Sequence, residues 1–260
     1  MLLAIDSGNT NVVFAVYDGE VLVGSWRASS DERRTADEYA VWLTQLMTLR
    51  GLGSEDIDGA IIASVVPAAL RSLINLCVRY FNSEPLVVGA PGVELGIEVR
   101  IDRPDHVGAD RLVNAIAAHR RFGGPLIVVD FGTATTFDII GEDGGYEGGI
   151  IAPGINLSVE ALYMAAAKLP RVAVRKPEAV IGGSTVSAME SGIFWGYIGL
   201  IEGLVRRIKA EYGRDLSVVA TGGLAPLFAE ATEVIQEIDG DLTLRGLQAI
   251  YQANRRDAAS

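Results

Sequence analysis

The sequence predicts an α/β chain made of two similar halves with a cleft between them. Three observations carry this. Short apolar runs alternate with longer stretches of helical periodicity, as in chains whose helices cover a sheet. The opening run ends in Asp6, Gly8 and a polar cluster, and the same pattern returns at Asp130 and Gly132, 124 residues further on. The elements after each of the two turns also come in one order. A period of that length exceeds those of solenoid repeats, so the copies are domains. Two similar lobes leave a cleft, where ligands commonly bind. The expected division is 1–115 and 116–260.

The runs "LLAI", "VVFAVYD" and "EVLVGSWRA" lie close together between turn residues and predict an antiparallel meander. Thr35 and Glu38 form a capping box ahead of "YAVWLTQLMTLRGL", a helix that stops near Gly51. "GAIIASVV" reads as a buried strand, Pro67 opens a second helix, and "PLVV" is another strand. A helix follows the glycine turn in "HVGADRLVNAIAAHRRFGG". Then "PLIVVDFGTATTFDIIGEDGGYEGGIIAPG" repeats the strand–turn–strand opening, with "NTN" matched by "TAT". Helices are expected over "NLSVEALYMAAAKL" and from "TVSAMESG", where Ser187 and Glu190 make an S-x-x-E box. "LSVVATGGLAPLFAEA" reads strand, glycine turn, helix, and "LTLRGLQAIYQANRR" is a last helix.

Composition narrows the function. The 260 residues are 49% apolar and 21% charged, the balance of a globular chain. A formal charge of −11 argues against a nucleic-acid partner, since phosphate backbones are gripped by clustered Lys and Arg. The N-terminal apolar run is too short for a signal peptide and has no basic start. The later stretch "GIFWGYIGLIEGLV" carries Glu202 and is too short to span a bilayer, so no membrane partner and a cytoplasmic protein are expected. The lone cysteine, Cys77, excludes an internal disulfide and reads as a buried small hydrophobe. His106 and His119 form no metal constellation.

In "DSGNTN" the strand-end Asp6 can present its carboxylate to a ligand, and Gly8 lets the backbone approach a phosphate without a Cβ clash. Successive N–H groups in such a turn make an anion-binding concavity. Asp6 suits Mg²⁺ held through water. A plain hairpin, with Asp and Asn bonding their own backbone, also explains this turn. In the second copy Asp130 stands beside Thr133, Thr135 and Thr136. There is no Walker-type phosphate loop and no dinucleotide-binding glycine motif. In "GADR", Asp110 is either a favourable charge at a helix start or a base for an attacking hydroxyl. Its neighbour Arg111 can clamp a substrate carboxylate. "GGIIAPG", "GGST" and "TGG" either face ligands or simply turn and cap the chain.

In their order, "DSGNTN", "GADR", "DFGTATTFD", "GGIIAPG", "STVSAMESG" and "TGG" resemble the type III pantothenate kinases over essentially the whole chain. The resemblance implies two duplicated ribonuclease-H-like domains of the actin-like ATPase superfamily. It implies ATP-dependent phosphorylation of pantothenate, the first step of coenzyme A synthesis. By position, Asp6, Ser7, Gly8, Asn9, Thr10, Asn11, Val12 and Val13 resemble the ATP phosphate loop, with Asp6 near Mg²⁺. Thr133 resembles a further ATP contact. Gly108, Ala109, Asp110 and Arg111 resemble the pantothenate site, with Asp110 the proton acceptor, and Thr185 a further contact. Asp130 resembles the ligand of the monovalent cation, K⁺ or NH₄⁺. Family members are homodimers, so the 185–211 helix is expected at an interface. Where several relatives carry an aromatic contact seven positions before the first glycine of "GADR", this chain has Ile101. Two other readings belong to different classes: a kinase for another small acid on the same fold, and a non-catalytic regulatory relative.

Overall fold

The computed structural model describes residues 1–165 and 169–257. They form two compact units: Met1–Glu98, Asp102–Arg120 and the chain from Asp241; and Val99–Ile101 with Arg121–Gly240. The dividing point at Arg120 falls past 115, and the last helix returns to the first unit because it packs on that unit's sheet.

The first unit contains β1 (Leu2–Ser7), β2 (Asn11–Asp18), β3 (Val21–Ser29), α1 (Ala36–Thr48), β4 (Gly59–Ser64), α2 (Pro67–Phe81) and β5 (Leu86–Val87). Most of α3 (Ala109–Phe122) belongs to it as well. The second contains β6 (Leu126–Phe131), β7 (Ala134–Ile140), β8 (Tyr146–Pro153), α4 (Ile155–Ala165), α5 (Thr185–Tyr212), β9 (Ser217–Thr221), α6 (Ala225–Ala229) and β10 (Glu237–Ile238). The closing helix is α7 (Leu242–Asp257). The sheets run β3-β2-β1-β4-β5 and β8-β7-β6-β9-β10, one order in both. In each, the first strand pairs antiparallel with the second and parallel with the fourth. This is the ribonuclease-H-like arrangement, present twice.

Alternation along β1 splits the first unit's core in two. Leu3 and Ile5 face Tyr39 and Leu43 of α1 and Leu73 and Leu76 of α2. Leu2 and Ala4 face Val113 of α3 and Leu247 and Ile250 of α7. Each fully buried Leu or Ile stabilises by about 1.5–3 kcal/mol over its exposed state. In the second unit, Ile127, Val129 and Phe131 pack on Phe194, Ile198 and Ile201 of α5 and Phe228 of α6.

The caps follow local chemistry. At α1, Glu38 N–H donates to Thr35 Oγ1 at 3.2 Å and Thr35 N–H to Glu38 Oε2 at 2.7 Å, the reciprocal box the sequence predicts. At α5 the box lies one turn earlier than predicted. Ser184 is the cap, Ser187 supplies the N3 partner, and Glu190 instead takes an ion pair from Arg175 at 2.9 Å. The helix expected over 156–169 is seen as Ile155–Ala165; residues 166–168 lie outside the described residues. The short β10 was not foreseen, because both of its residues are exposed and carry no apolar period.

Candidate active site

Asp6 is the penultimate residue of β1, in register with Val13 on β2 and Ala63 on β4. Alternation puts it on the Leu2 and Ala4 side, the face that α3 and α7 cover. The turn after it is closed by Gly8 N–H donating to Asn11 O at 2.9 Å. A Cβ at Gly8 would lie 3.4 Å from that carbonyl. Ser30 braces the turn, its amide on Thr10 O at 3.0 Å and its hydroxyl on Gly8 O. Ser7 is buried, and its Oγ has no hydrogen-bond partner among the described residues. A buried hydroxyl left with spare bonding capacity suits a ligand carrying acceptor oxygens. Val12 is buried in the core, and Val13 is half-buried. Asn9 and Thr10 are exposed on the turn, with Asn11 half-buried at the start of β2.

The "GADR" motif meets this same edge of the first sheet. Val65, just past β4, donates its amide to Ser7 O at 3.1 Å. A Cβ at Gly108 would stand 3.7 Å from Val65 Cγ1 and 2.5 Å from Asp110 Oδ1, so only glycine leaves room for that carboxylate. Ala109 opens α3, and Gly108 O accepts the amides of Arg111 and Leu112 at 3.1 and 3.3 Å. The Arg111 amide donates to Asp110 Oδ1 at 2.8 Å. Burial pushes the Asp110 carboxyl above its ordinary value, with this hydrogen bond and the nearby Arg111 charge only partly opposing it. A carboxylate made more basic by burial at a helix start is equipped to take a proton.

The second unit repeats the first turn with one residue fewer. Asp130 is in register with Thr136 on β7 and Thr221 on β9. Gly132 N–H donates to Ala134 O at 3.1 Å. The expected match of "NTN" to "TAT" therefore slips: Asn11 and Ala134 both start their second strands, and Thr135 stands where Val12 does. Thr135 points into the core and hydrogen-bonds the buried Tyr197 hydroxyl, away from Asp130. Thr136 lies on the Asp130 side, and Thr133 is exposed in the turn. Two of the other glycine motifs, "GGIIAPG" and "TGG", come together here, whereas Gly182 of "GGST" lies against Ser187 and Ala188 at the start of α5. A Cβ at Gly154 would fall 2.2 Å from Thr133 O. One at Gly222, whose φ is +90°, would fall 2.6 Å from Phe131 O and 2.9 Å from Asp130 Oδ1. Two oxygens thus border a space that a side chain at 222 would fill, a donor set suited to a hard monovalent cation.

Ile101 belongs to the second unit, whereas Gly108–Arg111 belong to the first. Its Cγ2 would lie 3.6 Å from a Cβ at Gly148. Arg100 anchors this segment: its amide donates to Tyr146 O at 2.8 Å, and its guanidinium pairs with Asp143 and with Glu147, the latter at 2.8 Å. Hydrogen bonding to that guanidinium holds the exposed Asp143 carboxyl down at about 2. Nothing in the sequence pattern had marked Arg100. Thr185, also in the second unit, is the exposed first residue of α5. His106 is exposed beside Asp105 and Arg103. Among the described residues no group of three or more His, Cys, Asp or Glu converges as a metal site, and no helix is long and apolar enough to cross a membrane.

The family model for type III pantothenate kinase matches residues 2–207. The type III pantothenate kinase of Paramagnetospirillum magneticum is 68% identical over 254 residues, covering 98% of each chain. That of Rhodospirillum rubrum is 65% identical over 257 residues, covering 99% of this chain and 100% of its own. Among solved structures, a Sinorhizobium meliloti protein named for 2-dehydro-3-deoxygalactonokinase superposes with a TM-score of 0.61 at 17% identity, covering 97% of this chain and 96% of its own. That likeness is one of fold. With near-complete coverage at such identity, and with the "DSGNTN", "GADR" and "DFGTATTFD" residues placed as described, this chain belongs to the type III pantothenate kinase family.

Proposed function

We propose that this protein transfers the γ-phosphoryl group of ATP to pantothenate, giving 4'-phosphopantothenate and ADP, the entry to coenzyme A synthesis. The observation that carries the reading is Asp110. Its half-buried carboxyl, raised in proton affinity, stands at the start of α3 on the sheet edge where the Asp6 turn closes.

In this mechanism the Asp6–Val13 turn cradles the ATP phosphates with its amides, and Thr133 adds a contact from the second turn. Arg111 binds the pantothenate carboxylate, with Gly108, Ala109, Thr185 and Ile101 shaping the rest of its site. Asp110 accepts the proton of the primary hydroxyl. The oxygen attacks the γ-phosphorus in line, the bond to the bridging oxygen of ADP breaks, and the proton remains on Asp110 until release. Asp6 would hold Mg²⁺, and Asp130 with Phe131 O would hold K⁺ or NH₄⁺. When bound, these ions offset the negative charge on the phosphates. Positioning and electrostatics supply most of the acceleration in phosphoryl transfer.

The active species is a homodimer in this reading. A Cβ at Gly192, Gly196 or Gly199 of α5 would meet nothing within 4 Å, so one side of that helix is bare. The same unit leaves Met164 76% and Ile181 90% exposed. We place the reaction in the cytoplasm, where a lone buried thiol such as Cys77 meets no oxidising chemistry.

The deciding experiment is ADP release from ATP with and without pantothenate, at fixed Mg²⁺, with and without K⁺. Pantothenate-dependent release that K⁺ stimulates is expected. No such release under either condition overturns the reading.

A further inference from the structure

Asp138 is a carboxylate at 0% exposure that the mechanism above leaves unused. It sits mid-strand on β7, in register with Val128 on one side and Gly149 on the other. A buried carboxylate is tolerated only when hydrogen bonds replace its water. Here they come from two directions. Oδ2 accepts from Thr136 Oγ1 at 3.0 Å, and Oδ1 accepts from the buried Tyr146 hydroxyl at 2.7 Å.

Each donor leads to a different part of the site. Thr136 is the register partner of Asp130, two residues along the strand from Asp138 and on the same face. Tyr146 holds the segment that carries Ile101: its carbonyl accepts the Arg100 amide at 2.8 Å, and it bridges Val99. One fully buried carboxylate therefore ties the side chain opposite Asp130 to the residue on which the 99–101 segment rests.

We propose that Asp138 is a positioning residue that sets two functional groups at once, the Asp130 edge through Thr136 and the acceptor-contacting Ile101 through Tyr146. It touches neither substrate nor ion. The inference rests on the roles given to Asp130 and Ile101 above. It predicts that the two arms separate by mutation. Tyr146→Phe loosens only the acceptor arm, Thr136→Val only the cation arm, and Asp138→Ala both, because it removes the two oxygens that accept from Tyr146 and Thr136.

Three readouts test this in the full-length protein: the KM for pantothenate, the K⁺ concentration for half-activation, and amide hydrogen exchange across 99–101 without ligand. Losing one such hydrogen bond is expected to change the affected constant by about three- to tenfold. Tyr146→Phe should raise the pantothenate KM and speed exchange at 99–101 while leaving half-activation in place. Thr136→Val should raise the K⁺ needed while leaving the pantothenate KM in place. Asp138→Ala should do both. If Asp138→Ala fails to fold, the two single-arm variants carry the test alone. The proposal is overturned if the variants lower kcat without moving either constant or the exchange. Should the wild-type protein not phosphorylate pantothenate, the functional reading falls but exchange still decides. Faster exchange in Tyr146→Phe supports the Asp138–Tyr146 anchor, and unchanged exchange overturns it.

Discussion

Asp6 and Asp130 occupy one position in two sheets. Each is penultimate in the first strand of its sheet, each strand shows the same burial pattern, and each is followed by a glycine whose amide closes the next turn. The neighbours differ. Asp6 lies between Val13 and Ala63, whereas Asp130 lies between Thr136 and Thr221. In the proposed mechanism this apolar surround of Asp6 suits a solvated Mg²⁺ on a phosphate. A hydroxyl-rich surround with a converging carbonyl suits direct oxygen coordination at Asp130.

The two aspartates should therefore fail differently. Asp6→Asn is expected to lower kcat on the order of 10²-fold and to raise the Mg²⁺ requirement. Asp130→Asn should instead abolish stimulation by K⁺. Paired titrations of Mg²⁺ and K⁺ on both variants check this. Identical changes in both titrations would remove the distinction.

Gly222 should be intolerant of any side chain. Its φ of +90° is costly for an L residue, and the new Cβ would press on Phe131 O and Asp130 Oδ1. Gly222→Ala is expected to cost about 1–3 kcal/mol of stability. K⁺ activation should weaken with it. Gly183→Ala is the control, since a Cβ there meets nothing within 4 Å and its φ is not positive. Thermal melts with and without K⁺ read the effect, and equal melting for the two variants would contradict it.

The duplicated order of elements was legible because both halves open on an apolar run, an Asp-x-Gly turn and a second apolar run, and in the first half a T-x-x-E box at Thr35 and a proline at the first position of α2 also mark the helices. The slip of "TAT" against "NTN" was not, because a turn shortened by one residue changes which threonine faces inward, and only strand register reveals that. Thr135 went into the core for this reason. Asp138 did leave a mark, a charged residue inside the apolar run "TTFDII". Its meaning depended on Tyr146, on the next strand, and on an Arg100 amide from a segment whose sequence has no period at all. Gly222 looked like an ordinary turn glycine until the parallel pairing of β9 with β6 brought it beside Asp130.

The bare side of α5 gives a prediction about assembly. Gly196 is exposed, whereas Phe194, Tyr197 and Ile198 on the same helix are buried in the core. Gly196→Leu adds a side chain outward, where this chain offers nothing to collide with. The fold should survive, and a closely packed pairing of this helix with a second copy should not. Sedimentation is expected to show the variant as a monomer and the parent as a dimer, with near-equal circular dichroism. A variant still dimeric would place the subunit contact elsewhere.

Asp110 is where stability and activity should oppose each other. Its raised proton affinity means that the folded protein holds this proton more tightly than the unfolded chain does. The contribution of Asp110 to stability is therefore present at low pH, below the ordinary carboxylate range. It is lost as pH rises through that range to the raised native value. At neutral pH the half-buried charge is a net cost to folding, and in the proposed mechanism it is retained because an ionised carboxylate takes the proton. Asp110→Asn removes the charge while keeping the shape. It should melt at or above the parent's temperature at pH 7, and kcat should fall by about 10²–10⁴-fold with ATP binding intact. In the parent, kcat should decline on the acid side at a pH above the usual carboxylate value, since protonated Asp110 is inactive as a base. Melting curves and a pH–rate profile measured together decide it: a variant that turns over pantothenate at the parent's rate removes Asp110 from the chemistry.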